Sequence, residues 1–160
     1  MAEPISFTIR GQPCSKANSR RIVTLKRGEE NVRIAVVKSK EALAYERDAL
    51  RQIPAAARQR LEGPVAVTIR IWYASERPDL DESIILDCLQ DRFHRLSAKG
   101  PRVLLQAGVY RNDRQVREKH IFHAIEHANP RAEISVTALT PQQPGLPLPD
   151  PEDLAAEIFG

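Results

Sequence analysis

Three aspartates in this chain sit where phosphate chemistry could be done. Asp79-Leu80-Asp81 follows closely on residues 65–73 (VAVTIRIWY). In extended backbone, residues i and i+2 point to the same side with Cα atoms about 7 Å apart. Two carboxylates so placed can converge on a hard divalent cation, and without one they repel each other. Leu80, between them, would face the core. Asp113 belongs to a later segment read as extended, Arg111-Asn112-Asp113-Arg114-Gln115-Val116. If the two segments pair, Asp113 reaches the same place. Mg²⁺ uses such carboxylates, with positions left open for water and substrate oxygen, when it acts on phosphates. Phosphodiester hydrolysis needs an activated water and a stabilised leaving oxygen, and two metals about 4 Å apart supply both. The plainer reading is a solvated loop in which Asp81, immediately before Glu82-Ser83-Ile84, caps a helix.

Cations lie near these acids. Arg77 precedes them and has the fork to hold a phosphate bidentately. Lys16, Arg20 and Arg21 sit on a polar segment, CSKANSRR, which is either a phosphate-contacting loop or a solvated basic surface. Arg111, Arg114 and Arg117 surround Asp113 and either neutralise it or face a polyanion. Net charge is +3. Residues 133 to 160 hold five acids and no Lys or Arg, so residues 1–132 carry 24 − 16 = +8. A basic body suits a polyanionic partner. His120, His123 and His127 have i, i+3, i+7 spacing, which would suit zinc on a helix; on a strand His120 points away from the others. Tyr110 and Trp72 could stack on bases but fit core or edge packing better. Cys14 and Cys88 read as two reduced thiols.

The elements that must position these groups follow from periodicity. Residues 5–10 alternate as a half-buried strand. Residues 22–26 and 31–37 are β-branched runs around Arg27-Gly28-Glu29-Glu30, a hairpin pattern. Ser39 caps a helix from Lys40, with Ala42, Tyr45, Leu50 and Ile53 on one side. Pro54 breaks it and can open a short second helix. Residues 65–73 alternate cleanly, with Val65, Val67, Ile69, Ile71 and Tyr73 on one face. Residues 82–92 read as a helix with an Ile85, Cys88, Leu89 stripe. Residues 97–108, with Gly100-Pro101 and Gly108, read as a loop with one apolar turn. Residues 109–110 and 115–126 look extended, and 133–139 alternate as a last strand. The order implies an α+β domain over 1–140, a small mixed or antiparallel sheet packed with two or three helices. Residues 141–160 form a proline-rich acidic tail, read as flexible. No stretch approaches the roughly 20 apolar residues of a membrane span, and no secretory signal is evident.

Taken together, Arg77-Pro78-Asp79-Leu80-Asp81, Leu86-Asp87-Cys88-Leu89-Gln90 and Tyr110-Arg111-Asn112-Asp113-Arg114-Gln115-Val116 resemble the pattern of the RusA family of Holliday junction resolvases. That family has an R-x-D-x-D-N segment, a helix with L-D-A-L and a D-D-x-Q-V segment. Ser15-Lys16-Ala17-Asn18-Ser19-Arg20-Arg21 is similar to its polar loop after the first strand. The resemblance spans roughly residues 5–139. It implies a Mg²⁺-dependent endonuclease, with Mn²⁺ able to substitute, that acts as a homodimer and resolves four-way DNA junctions by paired symmetric nicks. Carried over by position, Asp79, Asp81 and Asp113 are catalytic and hold the metal. Lys16, Asn18, Arg20, Arg21, Arg77, Arg111 and Arg114 face branched DNA. A cytoplasmic, bacterial or phage-encoded enzyme of DNA recombination and repair is the implied setting. The chain departs from the family in four places, one of them the link from Asp81 to Leu86-Asp87, which is about two residues short. Glu82 stands where the family has Asn, and could act as a fourth acid. Ile85 stands where the family has a functional lysine, a cation that Lys99 would have to supply instead. The stretch from Phe93 to Gly108 is longer than expected. The alternative is a non-catalytic DNA-binding relative of such nucleases.

Overall fold

The computed structural model describes residues 3–26, 28, 32–76, 79 and 81–139. Arg77, Leu80 and the 141–160 tail lie outside the described residues, as does most of the Arg27–Glu30 turn. The strands are β1 (Ile5–Arg10), β2 (Arg20–Lys26), β3 (Val32–Lys38), β4 (Val65–Tyr73), β5 (Arg92–Arg95), β6 (Arg102–Gln106), β7 (Val116–Ile125) and β8 (Arg131–Ala138). The helices are α1 (Lys40–Gln52) and α2 (Glu82–Leu89), with short 3-10 turns at Lys16–Asn18, Ala55–Ala57 and Asp113–Gln115. This is an α+β fold: a mixed four-stranded sheet, two small hairpins and two helices.

The sheet runs β1-β8-β4-β7. β8 is antiparallel to β1 and to β4, while β7 runs parallel to β4. Alternation decides which face is buried. Val65, Val67, Ile69 and Ile71 of β4 join Ile9, Ala132, Ile134 and Val136 in the core. Each such isoleucine contributes about 1.5–3 kcal/mol over its exposed state. Ser6, Thr8, Thr68, Arg70, Glu133 and Ser135 face the other way and line an open trough. The helices complete the core with Ala42, Tyr45, Ala49 and Ile53 from one side and Ile84, Ile85, Cys88 and Leu89 from α2.

Helix ends follow local chemistry. Ser39 Oγ accepts the Ala42 N–H at 3.1 Å and starts α1. Ile53 is forced into extended backbone (φ −69°, ψ 118°), as expected of a residue before proline. Pro54 then leads into the single 3-10 turn at Ala55–Ala57. Two expectations are corrected. The second helix stops at Leu89, not at residue 92, because Asp91 and Arg92 leave it to begin a ribbon. The segment 97–108 is not a loop with an apolar turn: it carries β6, which pairs with β5.

Among the described residues, no helix is long and apolar enough to cross a membrane.

Candidate metal and phosphate site

The chain leaving β4 is stitched to the segment that follows β1. Gln12 Oε1 accepts the Ala74 N–H at 2.8 Å. The Lys16 N–H donates to the Asp79 carbonyl at 2.8 Å, and the Asp81 N–H donates to the Cys14 carbonyl at 3.0 Å. That reciprocal pair is an antiparallel bridge, and it places the basic loop beside the Asp-x-Asp segment. Lys16 Nζ lies 3.6 Å from Glu82 Oε2. A hollow of about 280 Å³ opens between the two stretches, lined by Gln12, Cys14, Ser15, Asn18, Glu41 and Asp79.

The two acids of the pair differ in environment. Asp79 is exposed, and Asp81 is buried at 8%. Asp81 is the N-cap of α2: its Oδ1 accepts the Ser83 N–H at 3.1 Å and the Ser83 hydroxyl at 2.5 Å. The capping reading of this residue is therefore realised, and its Oδ2 takes no part in the cap. Burial, with the Asp81 charge beside it, pushes the Cys14 thiol up. Burial first, then Glu82 and Asp79, does the same to the Tyr73 phenol, whose hydroxyl has no partner among the described residues.

Asp113 is not brought to this place. β7 is parallel to β4 and starts beside Val65, so the residues before it lie at the opposite end of β4 from Asp79. α2 runs back between the two ends. The Asp113 N–H donates to Gln90 Oε1 at 3.3 Å, and Gln90 is the C-cap of the helix that Asp81 opens. Eight residues of helix lie between those caps, which sets them about 13 Å apart. Among the described residues, no three His, Cys, Asp or Glu side chains stand close enough together to hold a metal ion.

The motif around Asp113 instead closes a turn. Asn112 and Gln115 form a capping box on Asp113–Gln115. Gln115 Oε1 accepts the N–H groups of Arg111 and Asn112 at 2.9 and 2.8 Å. Its Nε2 donates to the carbonyls of Leu61 and Gly63 at 2.7 and 2.8 Å. The conspicuous glutamine is a fastener for the entry to β7.

The other expected contacts are scattered. Asn18 is exposed beside the hollow, with its N–H donated to Ser15 Oγ at 3.3 Å. Arg20 and Arg21 are exposed at the start of β2 and alternate to opposite faces. Arg111 pairs with Glu62, and Arg114 is exposed on the Asp113 turn. Tyr110 is fully buried with its hydroxyl donated to the Leu86 carbonyl at 2.9 Å, so it is not a base-stacking platform. Trp72 lies under Arg131, whose guanidinium carbon is 4.5 Å from the ring. The three histidines separate: His120 faces Glu118, the His123 ring packs edge-on to Tyr73, and His127 meets the Ala74 carbonyl. Both cysteines are free; burial pushes the Cys88 thiol up to about 12.

Ile85 is fully buried, which explains why no lysine stands there in this packing. Lys99 lies beyond β5 in the ribbon, far along the chain from the acids. The lysines that do reach α2 come from elsewhere: Lys16 onto Glu82, and Lys38 onto Asp87 at 3.4 Å. Lys38 also donates to Glu46 at 2.6 Å, and Glu46 takes a second bond from Arg92 at 2.6 Å. This buried network was missed in the sequence. Its signal was Glu46 itself, which falls on the apolar side of α1 between Ala42, Tyr45 and Ala49.

No protein-family model matches the chain, and no curated protein matches it.

Proposed function

We propose that the chain is a Mg²⁺-dependent endonuclease for branched DNA, with Asp79 and Asp81 as its metal-holding carboxylates. The observation that carries this reading is the bridge that sets the Lys16–Asn18 loop against Asp79 and Asp81. It sets Asp79 and Asn18 on the wall of one hollow, with Asp81 and Lys16 on the bridged backbone beside it. The donor set suits Mg²⁺, which keeps several waters and is commonly held by one or two carboxylates together with substrate phosphate. Asp79 is exposed and Asp81 has one oxygen uncommitted to the cap. Bound there, the ion would supply a Lewis acid for the phosphoryl oxygen and acidify a water. Lys16 would neutralise and orient the phosphate, and Asn18 would offer an amide donor beside it. The RusA-like motifs support the same activity and extend it to four-way junctions. Geometry favours two carboxylates at the metal, with Asp113 outside that shell.

Two nicks in one junction need two such hollows, so a homodimer belongs to the proposal. The surface we assign to it is the β2–β3 ribbon. Its pairing puts Ile22, Val32, Ile34 and Val36 on one face, where they are 61–73% exposed. A lone two-stranded ribbon is marginal in water, and a second copy would cover that face.

The test is incubation of the chain with a synthetic four-way junction and Mg²⁺. Paired nicks that vanish in Asp79→Asn are expected. Binding without cleavage in the parent protein would leave the non-catalytic DNA-binding alternative standing, and no binding would remove both.

A further inference from the structure

We propose that the β5–β6 ribbon is a DNA-contacting arm, with Arg95, Lys99 and Arg102 on backbone phosphates and Phe93 holding Arg102 in place. The inference rests on the reading of DNA as ligand and adds a contact surface that begins at the other end of α2 from Asp81.

Charge is the first argument. From Arg92 to Asn112 the chain contains no Asp or Glu. A surface that only confers solubility mixes both signs. Here Arg95 and Arg102 are directly opposite each other across the ribbon, an arrangement that like charges make unfavourable. Among the described residues neither has an acidic partner within 4 Å, nor does Lys99 beyond the end of β5. A polyanion laid along the ribbon relieves that repulsion. A second copy of this chain would add to it.

The second argument is order. Arg102 sits over Phe93, its guanidinium carbon 4.5 Å from the ring centroid. Stacking on an aromatic face limits the rotamers that the arginine must otherwise lose on binding. The ribbon is also firmly rooted. A Cβ on Gly108 would meet the Gln90 carbonyl carbon at 2.4 Å, so the two ends of the arm touch backbone to backbone. Asp91 Oδ1 accepts the Gly108 N–H at 2.8 Å, and Arg58 donates to the Ala107 carbonyl at 2.9 Å.

The experiment measures binding of the full chain to a synthetic four-way junction in EDTA across a potassium chloride series. The triple variant Arg95→Gln/Lys99→Gln/Arg102→Gln should lose about two to three from the slope of log K against log salt. Each single change should lose about one, which keeps the test open if the triple variant is poorly folded. Phe93→Leu should weaken binding about threefold with its slope unchanged, because it loosens Arg102 without removing charge. Wild-type binding with no change of slope in these variants would overturn the arm and leave the proposed function intact. A wild-type protein that does not bind DNA would overturn both.

Discussion

Asp81→Asn is the informative substitution beside the hollow. Asn caps helices as well as Asp does, so the Ser83 contacts and α2 should survive while one metal-binding oxygen is lost. Asp81→Asn is expected to abolish cleavage and to change unfolding free energy by under about 1 kcal/mol. DNA affinity should hold or rise, since a charge facing phosphate is gone. A variant that still cuts at the parental rate would remove Asp81 from the chemistry. Asp113→Asn separates two forms of the site. With two carboxylates at the ion, Mn²⁺ affinity should stay within about twofold of the parent. A large loss would mean that the Asp113 turn swings toward the hollow. The acids themselves were plain in the sequence, and so was the cap at Asp81. What could not be read was whether the strand after Asp113 runs parallel or antiparallel to β4. Only the antiparallel choice would have put Asp113 at the same end as Asp79, and β-branched patterning is the same for both.

Between elements, the strongest commitments are made by polar side chains that tie loops to the core. Gly108→Ala would drive a methyl into the Gln90 and Asp91 backbone and should destabilise by about 3 kcal/mol or more, read by urea unfolding. The Glu46 network joins β3, α1, α2 and β5. Burial alone would raise the Glu46 carboxyl, but the bonds from Lys38 and Arg92 outweigh it and hold it below the ordinary glutamate value of 4.5. A lowered carboxyl stabilises the fold above its unfolded value, and that stabilisation is lost as pH falls through the folded one. The melting temperature should therefore fall on acidification from pH 5 to pH 3, and Glu46→Gln should flatten that fall. An equal acid loss in the variant would assign it to other carboxylates. β4 and α1 were legible because one face of each is buried and the pattern says so. β5 and β6 were not, because Phe93, Val103, Leu104 and Leu105 are all 37–70% exposed. A ribbon with no buried side lacks the alternation that marks a strand, and Gly100-Pro101 at its turn looks like any loop.

At the scale of the molecule, self-association is the open quantity that the β2–β3 face addresses. Ile34→Lys should shift the sedimentation coefficient from dimer to monomer while leaving the far-ultraviolet spectrum unchanged. A parent protein that sediments as a monomer would remove the assigned surface. The sheet has a further margin in β7, which is ten residues long and, among the described residues, has β4 on one side only. Along the opposite side its amide and carbonyl groups offer a template to any extended peptide. Arg117, Glu118 and Lys119 crowd that rim with exposed charge. Such gatekeeping keeps neighbouring chains from zipping on, so replacing Arg117 and Lys119 with threonine should seed fibrillar aggregates in a concentrated solution of otherwise folded protein.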